Sequence, residues 1–266
     1  MDYFDRQKRI ANWDQSFFSQ TVAVCFGVGG LGSIVSLNLC RMGIGRIILI
    51  DYDRVEYHNL NRQLLFSKED IGKLKVEAAK EALEKTHNLV SHIEAYNLDI
   101  IAKWDQVVNI VKEATVIFNM IDYGDYFDLA AQSLCRNLKC PLIQGGTFSQ
   151  CVNVDFFPPE GESCLACGND SNNDILNQIV PSKVVGLENL MFLPKNNNPI
   201  GLSNSYLCGM CGMMMTAKFG EWALNRNQEE KVCITNRSIF YVNTMEAVNF
   251  SVERKMGCLI CQDQDN

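Results

Sequence analysis

Thr21-Val22-Ala23-Val24-Cys25-Phe26-Gly27-Val28-Gly29-Gly30-Leu31-Gly32 begins as a strand and ends as a glycine turn. Thr21, Val22, Val24 and Val28 are β-branched, as a buried strand prefers. A helix is expected next, from about Leu31 to Met42. Its apolar residues Leu31, Ile34, Val35, Leu39 and Met42 recur at helical spacing, and Gly43 stops it. Arg46-Ile47-Ile48-Leu49-Ile50-Asp51 then reads as a strand too apolar to be half exposed, with an acid at its carboxyl end. Strand, glycine turn, helix and strand make a parallel βαβ unit.

The pattern repeats outward from that unit. Helices are expected over Glu69 to Thr86, Trp104 to Glu113 and Asp125 to Lys139, with strands over Ile93 to Leu98, Thr115 to Ile121 and Pro141 to Gln144. Residues 1 to 146 therefore form the nucleotide-binding βαβ part of a Rossmann-like, doubly wound α/β sheet. Beyond it, Phe148, Val152, Val154 and Phe156 alternate within Thr147 to Phe157, which predicts an antiparallel strand. A long crossing loop over 168–205, a helix over Gly209 to Leu224, and strands near Cys233 to Asn243 and Glu246 to Glu253 complete the chain. Residues 147 to 266 thus continue a mainly parallel sheet with antiparallel strands, and the 266 residues are expected to be a single domain.

Composition excludes several classes. Hydrophobic residues make up 47% and charged ones 21%, which suits a folded globular chain rather than a disordered or fibrous one. The start, Met1-Asp2-Tyr3-Phe4-Asp5-Arg6, lacks the basic-then-apolar order of a signal peptide, and no apolar run approaches the ~20 residues of a membrane span. A cytoplasmic protein without membrane contact is expected. The net charge of −7, without a Lys/Arg cluster, argues against nucleic acid as a generic partner.

Four of the twelve cysteines form two Cys-x-x-Cys pairs, Cys164/Cys167 and Cys258/Cys261. Four soft thiolates give tetrahedral zinc coordination with no open position, which makes a structural four-cysteine zinc knuckle. One zinc per chain is expected, and disulfides are the weaker account in the absence of a signal peptide. The other eight cysteines read mostly as small core hydrophobes. His58, His87 and His92 show no ligand spacing and read as surface or loop residues.

Gly27, Gly29 and Gly32 fit Gly-x-Gly-x-x-Gly, with Gly30 beside them and Asp51 ending the next strand. The glycines let backbone approach phosphate, the helix amino end adds its dipole, and the acid can take ribose hydroxyls. A nicotinamide cofactor fits this much equally well, and a purely structural glycine turn also fits. A triphosphate needs more: cationic donors aimed at phosphates and a carboxylate for Mg²⁺. Arg62, after a short loop beyond the acid strand, Lys75, in the first turns of the next helix, and Asp122, at the carboxyl end of a later strand, supply these types. Taken singly they read as solvated charges and a helix cap; together they favour ATP.

Arg6-Gln7, Gly27-Val28-Gly29-Gly30-Leu31-Gly32, Asp51-Tyr52-Asp53, Asn59-Leu60-Asn61-Arg62-Gln63, Lys75, Asp122 and the cysteine pairs resemble the ThiF/MoeB/HesA superfamily, the adenylating domain shared with ubiquitin-activating enzymes. The resemblance spans nearly the whole chain. It implies ATP·Mg²⁺ binding and attack of the C-terminal glycine carboxylate of a small β-grasp protein on the α-phosphate, with release of pyrophosphate. By that likeness Asp51 holds the ribose, Asn59, Arg62 and Lys75 hold the phosphates, and Asp122 holds magnesium, with Asp53, Asn61 and Gln63 in the same nucleotide site. Arg6 resembles an arginine that enters the neighbouring subunit's site, which implies a functional homodimer.

Two departures matter. Where the family usually has Asp-Asn, this chain has Asp122-Tyr123. The family's thioester or sulfur-transfer cysteine commonly follows the first cysteine pair, yet residues 168 to 207 hold none. Cys208 and Cys211 are the nearest thiols, and a helix amino end beside them would lower a thiol pKa. Transfer to the sulfur of another protein, a separate sulfur donor or a conjugating enzyme, fits as well. The rival functions are adenylation of a peptide, a dehydratase acting on tRNA threonylcarbamoyladenosine, and an NAD-dependent oxidoreductase. The last leaves Arg62, Lys75 and the cysteine quartet unexplained.

Overall fold

Strand β1 (Val22–Phe26) lies at the centre of the first half of the sheet, with β2 (Arg46–Ile50) and β4 (Val116–Asn119) parallel to it on either side. The computed structural model describes residues 2–86, 90–148, 150–159, 163–168, 203–226, 234–256, 258, 260 and 261. Helices α1 (Gln15–Gln20), α2 (Gly30–Met42), α3 (Lys75–Thr86), α4 (Trp104–Ile110), α5 (Asp125–Leu138) and α6 (Ser205–Asn225) cover the sheet. The remaining strands are β3 (His92–Tyr96), β5 (Leu142–Phe148), β6 (Cys151–Phe157), β7 (Arg237–Tyr241) and β8 (Glu246–Phe250). Their order is β3-β2-β1-β4-β5-β6-β7-β8, parallel through β5 and antiparallel from β5 to β8. This is the expected doubly wound α/β sheet with an antiparallel continuation.

Period-two alternation sends β1 to two cores. Ala23 and Cys25 face one, with Val35 and Leu39 of α2, Leu83 of α3 and Phe219 of α6. Val24 and Phe26 face the other, with Trp104 of α4, Phe127 of α5 and the cysteines at 164, 258 and 261. A strand buried on both faces has no polar alternation, which is why β1 and β2 read as continuous apolar runs. Gly43 closes α2 in the left-handed conformation, φ 80°, its N–H bonded to the Cys40 and Leu39 carbonyls.

Three expected elements change. The helix expected from Glu69 starts only at Lys75, because Gly72 takes φ +88° and the Asp70 carboxylate bonds the Ser67 N–H and hydroxyl instead, closing a short turn over Lys68–Asp70. The strand expected from Thr147 to Phe157 is the second half of a hairpin: Phe148 pairs with Cys151, and Thr147 with Val152. Phe148 therefore lies on the opposite face from Val152, and it is 59% exposed. The helix expected from Gly209 begins at Ser205, where the Asn204 side chain accepts the Leu207 N–H at 3.0 Å. Most of the expected crossing loop, together with His87 and Cys233, lies outside the described residues. Among the described residues no helix is long and apolar enough to cross a membrane.

Candidate nucleotide site and cysteine cluster

In an open α/β sheet the carboxyl ends of the parallel strands share one crevice. Here that crevice is a cleft of about 490 Å³ whose walls include Gly27, Gly29, Asp51, Asp53, Lys75 and Asp122. Gly27 has φ +89°, a backbone state that L side chains rarely adopt, and it turns β1 into the loop. A methyl at Gly32 would overlap the Gly27 carbonyl oxygen, so the first turn of α2 packs directly onto the loop. A methyl at Gly29 would meet only the Gln63 amide nitrogen, 3.6 Å away. The loop is therefore open at Gly29, which lines the cleft.

Asp51 is buried and ties the strand ends together. One carboxylate oxygen accepts the Val28 N–H at 2.7 Å and the other accepts the Asp53 N–H at 2.8 Å. Lys75, at the amino end of α3, is buried to 8% exposure, and its Nζ lies 2.7 Å from Asp53 Oδ2. Asp122 stands exposed at the cleft rim just after β4. Arg62 lies beside the loop, its Cγ 3.6 Å from where a Gly30 methyl would be, and its guanidinium donates to the His58 carbonyl and to Asn61 Oδ1. Asn59 is buried, with its side-chain oxygen taken by the Glu56 N–H. Gln63 is buried too, and its Oε1 has no hydrogen-bond partner among the described residues.

Cys208 and Arg6 fall differently from the rest. The Cys208 thiol packs on Gly30, where a methyl would overlap it, and lies 2.9 Å from the Ser203 hydroxyl. It sits inside α6 rather than before it and is only 3% exposed. Burial pushes its pKa up, against smaller opposite effects of Ser203 and Arg62, so the lowering expected at a helix end is not found. Cys211, one turn on, is pushed up to about 12 by burial. Arg6 is exposed near the far end of α2, where Gln7 donates to the Met42 carbonyl and Phe4 packs on Gly43. It lies a helix length, ~20 Å, from the loop of its own chain.

The cleft also has walls that motif reading misses: Leu98, Asp99, Ile100 and Ile101. Leu98 to Ile101 follow the end of β3, and their only sequence signal is that position in a doubly wound sheet.

Cys164, Cys167, Cys258 and Cys261 meet against α5. The Sγ atoms of Cys164 and Cys167, Cys164 and Cys258, and Cys167 and Cys261 are 3.6–3.7 Å apart, and all four lie within 4.8 Å of one another. A Zn–S bond of ~2.3 Å in a tetrahedron puts sulfurs about 3.8 Å apart, so the donor set fits zinc. Gln132 of α5 accepts the Leu165 N–H at 3.1 Å, and Arg136 donates to the Ser163 carbonyl at 2.8 Å, which seats the first knuckle.

With this geometry in place, the sequence profile of the ThiF family matches residues 5–259. The chain belongs to the ThiF family. Among sequence relatives of this ThiF chain, ubiquitin-like modifier-activating enzyme 5 of Aedes aegypti is 34% identical over 158 residues, 56% of this chain and 39% of that protein. The Caenorhabditis elegans protein of that name is 32% identical over 167 residues, 59% of this chain and 39% of its own. The ThiF chain thus spans about two fifths of these relatives. Its fold is similar to E. coli MccB, TM-score 0.74 at 21% identity, covering 98% of this chain and 72% of that one. It is also similar to E. coli MccB with ATP, TM-score 0.70 at 24% identity, covering 93% and 68%.

Proposed function

We propose that this chain uses ATP and Mg²⁺ to adenylate the C-terminal glycine carboxylate of a small β-grasp protein, ubiquitin-like or sulfur-carrier, with release of pyrophosphate. The observation that carries this reading is the convergence of the open glycine loop, Asp51, Lys75 and Asp122 on one cleft in a ThiF-family chain. The names of the sequence relatives support a ubiquitin-like partner. Bound ATP·Mg²⁺ supplies an electrophilic phosphorus and a leaving group. The residues present fit it: the loop leaves room at Gly29, and the atom nearest that space is the Gln63 amide nitrogen, a donor that phosphate can use.

The chain's own groups then divide the work. Backbone N–H groups at the amino end of α2, from Gly30 onward, offer donors and a positive dipole to phosphate. Lys75, held by Asp53 in the cleft wall, and Arg62, beside the glycine loop at Gly30, add positive charge. Asp51, already oriented by two backbone N–H groups, faces the ribose. Asp122 is the free carboxylate for magnesium. Arg6 serves the neighbouring subunit of a homodimer, and the exposed Tyr206 and Met213 on α6 add apolar surface for that contact. The cysteine quartet holds structural zinc. Where a thioester step follows, Cys208 is the thiol nearest the loop; otherwise the acyl group passes to the sulfur of another protein.

ATP–pyrophosphate exchange against a panel of β-grasp proteins ending in Gly-Gly tests the reading. Exchange with one member supports it and names the partner. ATP binding without exchange for any member would shift the activity to the peptide- or tRNA-modifying relatives.

A further inference from the structure

We propose that His58 is a positioning residue of the phosphate site: its ring, in the tautomer that carries the proton on Nδ1, holds the Asn59 amide so that one Asn59 N–H is left for a phosphate oxygen. The inference rests on the nucleotide reading above and goes beyond it, since sequence marks His58 only as a surface or loop residue. Three contacts fix the arrangement. Asn59 Oδ1 accepts the Glu56 N–H at 3.0 Å, so the Asn59 atom turned to the ring is the amide nitrogen, Nδ2, 3.1 Å from His58 Nε2. An amide nitrogen only donates, so Nε2 accepts and the ring proton sits on Nδ1. There it has a partner of its own, the Glu56 carboxylate, with Nδ1 3.1 Å from Oε2. Which nitrogen of a histidine is protonated follows from the hydrogen bond that the other makes, and here both bonds select the same tautomer.

Asn59 is buried, so its orientation is set by these partners rather than by solvent. Its Nδ2 carries two hydrogens, and among the described residues only one of them is taken. The Asn59 carbonyl accepts the Arg62 and Gln63 N–H groups at 3.1 and 3.0 Å, which closes the turn that brings Arg62 beside Gly30 and the Gln63 amide nitrogen to Gly29. The His58 carbonyl accepts from the Arg62 guanidinium at 3.1 Å, a main-chain contact that replacement of the His58 side chain leaves in place. An effect of the ring on phosphate binding therefore runs through Asn59. The His58 side chain itself is 67% exposed, so its loss opens no cavity, and positioning can be told apart from packing.

Two measurements on the full chain test this. Nitrogen-15 NMR of the histidine rings at mildly alkaline pH, with the His58 signals assigned by their loss in His58→Gln, should show Nδ1 protonated and Nε2 bare; the reverse tautomer would overturn the proposal. In calorimetric titration with ATP, His58→Ala should bind about 3- to 10-fold more weakly, the usual worth of one hydrogen bond, and melt like the unaltered chain. His58→Gln, whose side-chain oxygen accepts in place of Nε2, should restore the affinity. A loss in His58→Gln as large as in His58→Ala, or a lowered melting temperature accompanying the loss, would overturn the positioning role. Unaltered affinity in His58→Ala beside a weakened Lys75→Ala would overturn it too and leave the nucleotide reading standing. An unaltered chain that binds no ATP brings down both.

Discussion

Asp122 is exposed and makes little packing contact, so Asp122→Ala should melt like the unaltered protein, within the ~0.5 kcal/mol typical of surface changes, while losing pyrophosphate exchange. Retained exchange in that variant would remove Asp122 from the site. The glycines allow a sharper comparison. Gly32→Ala drives a methyl into the Gly27 carbonyl and should cost about 1–3 kcal/mol in urea unfolding, because backbone cannot step aside. Gly29→Ala, whose methyl meets only Gln63 Nε2, should unfold normally and yet bind ATP more weakly, because the methyl fills the ligand side of the loop. Equal stability of the two variants would contradict the packing described here. Asp51 and Asp122 can be picked out in sequence because each falls where a strand end must be, whereas Lys75 reads only as a cation early in the following helix, whose start the sequence misplaces. Leu98 to Ile101 cannot be picked out: residues just past a strand end carry no motif and no periodicity of their own, and only the shared cleft reveals them. The Cys208 thiol misleads for a related reason, since helix position suggests a low pKa and only packing shows the burial that raises it.

Among the elements, the βαβ unit is legible because two independent signals agree, apolar runs buried on both faces and the left-handed glycine that stops α2. The start of α3 and the β5–β6 hairpin are not. Charged residues from Glu69 onward keep helical spacing, but the Asp70 turn and Gly72 satisfy the backbone another way. Across the hairpin the reversal changes which face each parity occupies, so Phe148 looks in sequence like a core partner of Val152. Helix α1 carries a pH-dependent cap. Asp14 accepts from the Ser16 and Phe17 N–H groups and the Ser16 hydroxyl, and it pairs with Arg226 at the end of α6 at 2.6 Å. The Ser16 side chain first, then the Phe17 N–H and Arg226, lower its pKa from 3.8 to about 2. Because the folded pKa is the lower one, the cap's contribution is complete above pH 3.8 and fades as the pH falls toward 2. The stability difference between the unaltered chain and Asp14→Ala, measured by urea unfolding, should therefore shrink over that interval. A difference that stays constant would show that the cap does not act through the charge.

For the whole molecule, the cysteine quartet joins the segment after β8 to the knuckle seated on α5. Protein purified without chelator should carry one zinc per chain, and Cys258→Ser should lose it and melt at lower temperature, since structural zinc in small fingers contributes on the order of 10 kcal/mol. Metal-free protein with unchanged melting would refute the zinc assignment. Arg6, a helix length from its own cleft, gives a test of assembly: Arg6→Ala and Asp122→Ala should each be inactive, and mixing them should restore part of the exchange, because one of the two sites is then complete. Mixtures as inactive as either parent would argue against an arginine shared between subunits. The central claim, adenylation of a glycine carboxylate in this cleft, is tested most directly by intact mass of a β-grasp partner incubated with the enzyme and ATP·Mg²⁺ under non-reducing conditions. The account predicts an AMP adduct on the partner's C-terminus with the unaltered chain and none with Asp122→Ala; an adduct formed equally by both, or ATP bound in the cleft with no adduct on any Gly-Gly partner, would contradict it.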